Sequence, residues 1–135
     1  MSCIRGHSNK DTELALIRFF RSRQITGWRR RKNVFGKPDF VFPRLKLAIF
    51  VDGCFWHGCP LHATVPRSNA DFWKKKLTAN KVRDRIVNRT LRSLGWSVLR
   101  IWEHELKRKN EMRLLMRIRK HLNELIRQTQ SSHPK

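Results

Sequence analysis

The stretch "LAIFV" (47–51) constrains the fold more than any other part of this chain. Five apolar residues in a row, three of them β-branched or aromatic, cannot form a strand with one face in water. Such a run belongs in the middle of a sheet, with partners on both edges and helices over both faces. The flanking sequence offers those parts. "DFVF" (39–42) reads as a strand joined to 45–53 by a short turn around Pro43 and Arg44, while "GWRRRKNVF" (27–35) reads as a weak strand or a basic loop. "DTELALIRFFRSRQI" (11–25) is a first helix with Asp11 or Thr12 available as its cap. Its apolar stripe is Leu16, Ile17 and Phe20, and Glu13 falls on the same stripe. A carboxylate turned inward costs free energy unless something there requires it.

Residues 69–94 are helical in period and stop at Gly95, a natural residue just past a helix end. "WSVLRIWEHE" (96–105) is the last strand. The segment 110–128 closes the chain as an amphipathic helix, with Leu114, Leu115, Ile118, Leu122 and Leu125 on its apolar side. This order predicts an α/β domain, a mixed sheet flanked by helices. With 135 residues there is room for one core, so residues 1–130 are expected as a single domain and 131–135 as a polar tail.

The hairpin has a chemical consequence. With its turn near residue 45, paired positions sum to about 90, which sets Asp39 opposite Val51 and beside Asp52. Two carboxylates and a strand-end carbonyl at one sheet edge are hard oxygen donors of the kind Mg²⁺ takes. Phosphodiester hydrolysis uses such an ion. The alternative is that Asp39, following Pro38 in "GKPD", only satisfies backbone N–H groups. Charge bears on this choice. The chain carries 31 Lys and Arg against 10 Asp and Glu, a formal net charge of +21. A fold with that surplus repels itself unless it meets a polyanion, and nucleic acid is the obvious one. No apolar run is long enough to span a bilayer and no signal-peptide core opens the sequence, so a cytoplasmic protein without a membrane partner is expected.

"VDGCFWHGCPLH" (51–62) follows the central strand. Cys54, Cys59 and His62 have the spacing C-x₄-C-x₂-H and suit Zn²⁺. His57 and His104 compete as fourth ligand. His104 is preferred, because a distant ligand would staple the loop to the sheet. His57 is then free to act as a general base, its pKa being near working pH. Asn80 and Asp84 share one helical face, and Asp84 either orients that imidazole or pairs with Lys81 or Arg85. Phe72 is expected in the core. Phe55, Trp56 and Trp73 instead suit wedges that enter between base steps, where unstacking costs least at a mismatch.

Taken together, "GKPDFVFPRLKLAIFVDGCFWHGCPLH", followed by "FW", "RD" and "LGWSVLRIWEHEL", resembles the very short patch repair endonucleases, within the restriction-endonuclease-like nucleases. The resemblance runs from about Arg5 to Leu106, and "CFWHGC" is its most specific part. It implies a Mg²⁺-dependent enzyme that nicks duplex DNA 5′ of the thymine in a T:G mismatch left by deamination of 5-methylcytosine. On that resemblance Asp39 is the metal-binding aspartate, Val51 supplies a backbone carbonyl to the same ion, and His57 is the catalytic histidine. Glu13 is the helix acid, and Asp84 is the partner of the histidine. Cys54, Cys59, His62 and His104 form a structural zinc site, and Phe55, Trp56 and Trp73 intercalate. Asp52 occupies a position where family members carry either histidine or aspartate. Members also carry an arm ahead of the segment matching "IRG" (4–6) that grips the duplex opposite the wedge; chemistry without that grip is the expectation here. Implied partners are duplex DNA and mismatch-repair proteins, with monomeric action in the bacterial cytoplasm at the nucleoid. Two rivals remain: a zinc-stabilised DNA-binding module without catalysis, and a nickase of non-mismatch specificity.

Overall fold

The computed structural model describes residues 2–30, 33–53 and 70–131. Its elements are α1 (Ser2–Ser22), β1 (Arg29–Arg30), β2 (Phe40–Phe42), β3 (Leu47–Asp52), α2 (Ala70–Ser93), β4 (Ser97–Trp102), two 3₁₀ turns (Glu103–Leu106 and Arg108–Asn110) and α3 (Glu111–Ser131). The sheet order is β1-β2-β3-β4, antiparallel except for the parallel β3–β4 pair that α2 connects. The run "LAIFV" therefore lies inside a mixed sheet, as its composition demands.

The two faces are unequal. On one, Leu47, Ile49, Leu99 and Ile101 pack with Leu16, Ile17 and Phe20 of α1 and with Leu114, Leu115, Ile118 and Leu125 of α3. Phe20 anchors this side, with its ring 5.5 Å edge-on from Phe40 and 5.4 Å from Trp28. On the other, Ala48 and Phe50 meet Leu91 and Val87 of α2. Residues 47, 49 and 51 thus face α1 and α3 while 48 and 50 face α2, the period of two that strands impose.

Helix α2 ends as its sequence predicts. Gly95 has φ +90°, the Trp96 N–H donates to the Leu91 carbonyl and the Gly95 N–H to the Arg92 carbonyl, a glycine-closed terminus that satisfies two orphan carbonyls. Other expectations need correction. Helix α1 begins at Ser2, so Asp11 and Thr12 are helix interior and not caps. The weak strand 27–35 reduces to Arg29–Arg30, and β4 stops at Trp102, where "EHEL" turns into a 3₁₀ helix. The closing helix runs to Ser131, one residue into the expected tail. The turn between β2 and β3 spans 43–46, closed by Leu45 N–H to Phe42 O at 3.1 Å, with Lys46 at φ +52°.

Candidate active site at the carboxyl end of the central strand

The β2–β3 register pairs Phe40 with Ile49, Val41 with Ala48 and Phe42 with Leu47. These positions sum to 89, so Asp39 is not opposite Val51 as the turn geometry predicts. It still reaches Val51 by another route. The Asp39 N–H donates to Ile49 O at 3.0 Å, although Ile49 already pairs with Phe40. Two residues of one strand facing one of its neighbour is a bulge, a device that re-aims a side chain where regular pairing ends. The Asp39 side chain takes over the next rung: its Oδ2 accepts the Val51 N–H at 2.7 Å. The metal reading and the backbone-satisfying reading of Asp39 are therefore compatible, since a carboxylate held by one backbone donor is also a preoriented ligand.

Asp52, the last residue of β3, is 5 % exposed. Its charge is met by Arg100, whose Nη1 lies 2.9 Å from Asp52 Oδ1 and 3.5 Å from Asp84 Oδ1 of α2. The same guanidinium donates through Nε to Asn88 Oδ1 at 2.9 Å and stacks 4.2 Å from the centroid of Phe50. Arg100 thus bridges strand to helix and holds two carboxylates together at this end of the sheet. Its role was missed from sequence, although a signal existed: in "SVLRIW" a cation stands in phase with Val98 on the face that α2 covers. Asp84, expected to orient the histidine or to pair with Lys81 or Arg85, has its Oδ1 3.5 Å from Arg100 Nη1.

Glu13 is 4 % exposed on the inward stripe of α1, with Arg30 Nη2 3.8 Å from its Oε2. His104 sits in the 3₁₀ turn directly after β4, half-buried, its carbonyl accepting from Asn110 Nδ2 at 2.8 Å. Trp73 is half-buried in the first turn of α2, with its ring 5.2 Å from that of Phe72. Phe72 was expected in the core and is 56 % exposed instead. Cys54, Phe55, Trp56, His57, Cys59 and His62 lie outside the described residues. Among the described residues no three His, Cys, Asp or Glu side chains are grouped to hold a metal ion, and none of the helices is long and apolar enough to cross a membrane.

A basic α/β domain with Asp39 fixed at the lead-in to β2 and Asp52 at the carboxyl end of β3 suits a protein that meets phosphodiesters. Comparison with known proteins gives that class a family. The family model described as "DNA mismatch endonuclease Vsr" matches residues 1–62, which includes the Cys-His segment. The type II nicking enzyme V.NmeAIP of Neisseria meningitidis serogroup A is 39% identical over 130 residues, covering 93% of this chain and 86% of that protein. The type II nicking enzyme V.NaeI of Lentzea aerocolonigenes is 55% identical over 69 residues, 51% of this chain and 42% of its own length. The DNA mismatch endonuclease Vsr of Escherichia coli K12 is 40% identical over 79 residues, 57% of this chain and 50% of that one. The chain belongs to the Vsr family of DNA endonucleases.

Proposed function

We propose that this domain nicks one strand of duplex DNA, 5′ of the thymine in a T:G mismatch, with Mg²⁺ as catalytic ion and Zn²⁺ as structural ion. The observation that carries the reading is the Asp39 carboxylate, fixed by the Val51 N–H at the bulged end of β2. Hard oxygens held in advance suit Mg²⁺ better than a softer metal. Asp39 and the Val51 carbonyl would hold the ion. When bound, such an ion supplies charge stabilisation for a pentavalent phosphorus and makes water more acidic. The remaining work falls to side chains. His57 takes the proton of the attacking water on a ring nitrogen. Asp84 stands one guanidinium away from Asp52, available to the ordering of that edge. Glu13 adds a buried carboxylate, and Phe55, Trp56 and Trp73 enter the stack beside the mispaired base.

The zinc assignment draws support from the parallel register. Asp52 pairs with Trp102, so β3 and β4 leave the sheet at the same end. Cys54 and His104 each follow two residues after that pair. Ligands at those two positions, joined by Cys59 and His62, would clamp neighbouring strand exits.

A strand-specific nicking assay on T:G and fully paired duplexes, with and without Mg²⁺, tests the reading. Asp39→Ala is expected to abolish nicking while duplex binding persists. A wild-type protein that binds duplex yet cuts none with Mg²⁺ or Mn²⁺ would be a binding module. Equal cutting of paired and mismatched duplex would favour the second reading, nicking of other specificity, which the names of the type II nicking relatives motivate.

A further inference from the structure

We propose that the cleft between the turns after β4 and the start of α3 seats a DNA backbone phosphate other than the one that is cut, which rests on the DNA-cutting reading above. The cleft measures about 700 Å³, and its walls include His104, Glu105, Lys107, Lys109, Arg113 and Arg117. It is a concavity of ligand-binding size (roughly 300–1,000 Å³) and not merely a charged surface.

Its charge is arranged for an anion. Glu105, the carboxylate of the wall, is already engaged: Oε1 accepts the Trp102 N–H at 2.8 Å and Oε2 pairs with Arg117. Arg117 also donates to the Arg100 carbonyl, so the pair ties α3 to β4 and fixes the back of the cleft. Lys107, Lys109 and Arg113 are exposed, and among the described residues none of the three makes a side-chain ion pair. Two point-charge ammonium groups beside a guanidinium fork match the oxygens of a phosphodiester.

Location decides which phosphate. Trp102 at the cleft is in register with Asp52, so the opening lies at the same end of the sheet as Asp39 and Val51. A duplex presenting its scissile bond to that end carries one strand charge about every 3.4 Å of axis. A neighbouring phosphate in the cleft would fix the register of the duplex, the usual job of backbone contacts. Lys107, Lys109 and Arg113 are positioning residues in this scheme.

The test uses the full chain. Lys107→Gln/Lys109→Gln/Arg113→Gln is compared with wild type and with the charge-keeping Lys107→Arg/Lys109→Arg/Arg113→Lys. Binding is measured over a salt series and on duplexes carrying a neutral methylphosphonate at one position at a time. The glutamine variant should lower the slope of log affinity against log salt by about one, at roughly 0.9 per phosphate contact. In wild type, neutralising one or two phosphates near the cut should weaken binding about tenfold. The glutamine variant should show no further loss at those same phosphates and should raise KM more than it lowers kcat. The charge-keeping variant should behave as wild type, and all three proteins should unfold at the same temperature. If wild type nicks but the glutamine variant keeps every methylphosphonate penalty, the cleft proposal is overturned and the nuclease reading stands. If wild type binds no duplex at all, both fall.

Discussion

Arg100 is the residue whose loss the acidic end could least absorb. Its side chain is 19 % exposed, against 7 % for Asp52, so the pair is largely out of water. Removing one partner of such a pair leaves a buried charge without compensation, at a cost of about 3–5 kcal/mol. Arg100→Met should therefore destabilise the domain by about 3 kcal/mol in urea unfolding. Adding Asp52→Asn should recover part of that loss, and a double variant no better than the single would show that the two charges do not interact. His121 on α3 behaves differently. Burial lowers its pKa, Glu124 opposes the shift, and Arg117 adds to it. The unfolded chain then binds the proton more readily than the folded one. The contribution is present above the ordinary imidazole value of about 6.5 and is lost as pH falls below it toward the folded value. Unfolding midpoints measured from pH 8 down to pH 5 should decline more steeply for wild type than for His121→Gln. Equal profiles would mean His121 titrates alike in both states.

At the level of elements, sequence periodicity located nearly every helix and strand, because period and burial are the same physics. It failed where the backbone departs from regularity. The four-residue turn 43–46 sets the hairpin register at 89 and the bulge at Asp39 lies beyond it, and no alternation of side chains announces either one. Phe72 was misplaced for a related reason: its helix lies over the smaller face of the sheet, which its exposed side chain does not reach. Gly36 shows how β2 is aimed. It precedes Pro38 and Asp39 with φ +82°, and a Cβ built there would lie 2.5 Å from Val87 Cγ1 of α2. Valine is stiff at χ1 and cannot swing aside. Gly36→Ala should thus cost about 2 kcal/mol from positive φ and overpacking together. It should also lower nicking by moving the lead-in to Asp39. Val87→Ala added to it should relieve the steric part alone, so a partial recovery in denaturant midpoint is the expected result and full recovery would dismiss backbone strain.

Over the whole molecule, the sheet and the Cys-His segment impose one requirement on each other. The strands β3 and β4 run parallel, and among the described residues their ladder ends at the Asp52–Trp102 rung. The chemistry proposed at Asp39 needs that end to be rigid, because small misplacements of reacting groups are costly in rate. A zinc ion ligated on both sides of the departure would supply rigidity where hydrogen bonding stops, and would explain why cysteines follow the central strand so closely. The ligand assignment can be separated from catalysis. Metal analysis of the purified chain should find about one zinc per molecule. His104→Ala should lose zinc and lower the thermal midpoint by several degrees, since metal binding free energy is folding free energy. His57→Ala should keep both zinc and midpoint yet nick slowly, because that imidazole is assigned to proton transfer. The opposite pattern, with zinc lost from His57→Ala and retained in His104→Ala, would exchange the two histidines and move the clamp from between the strands into the loop itself.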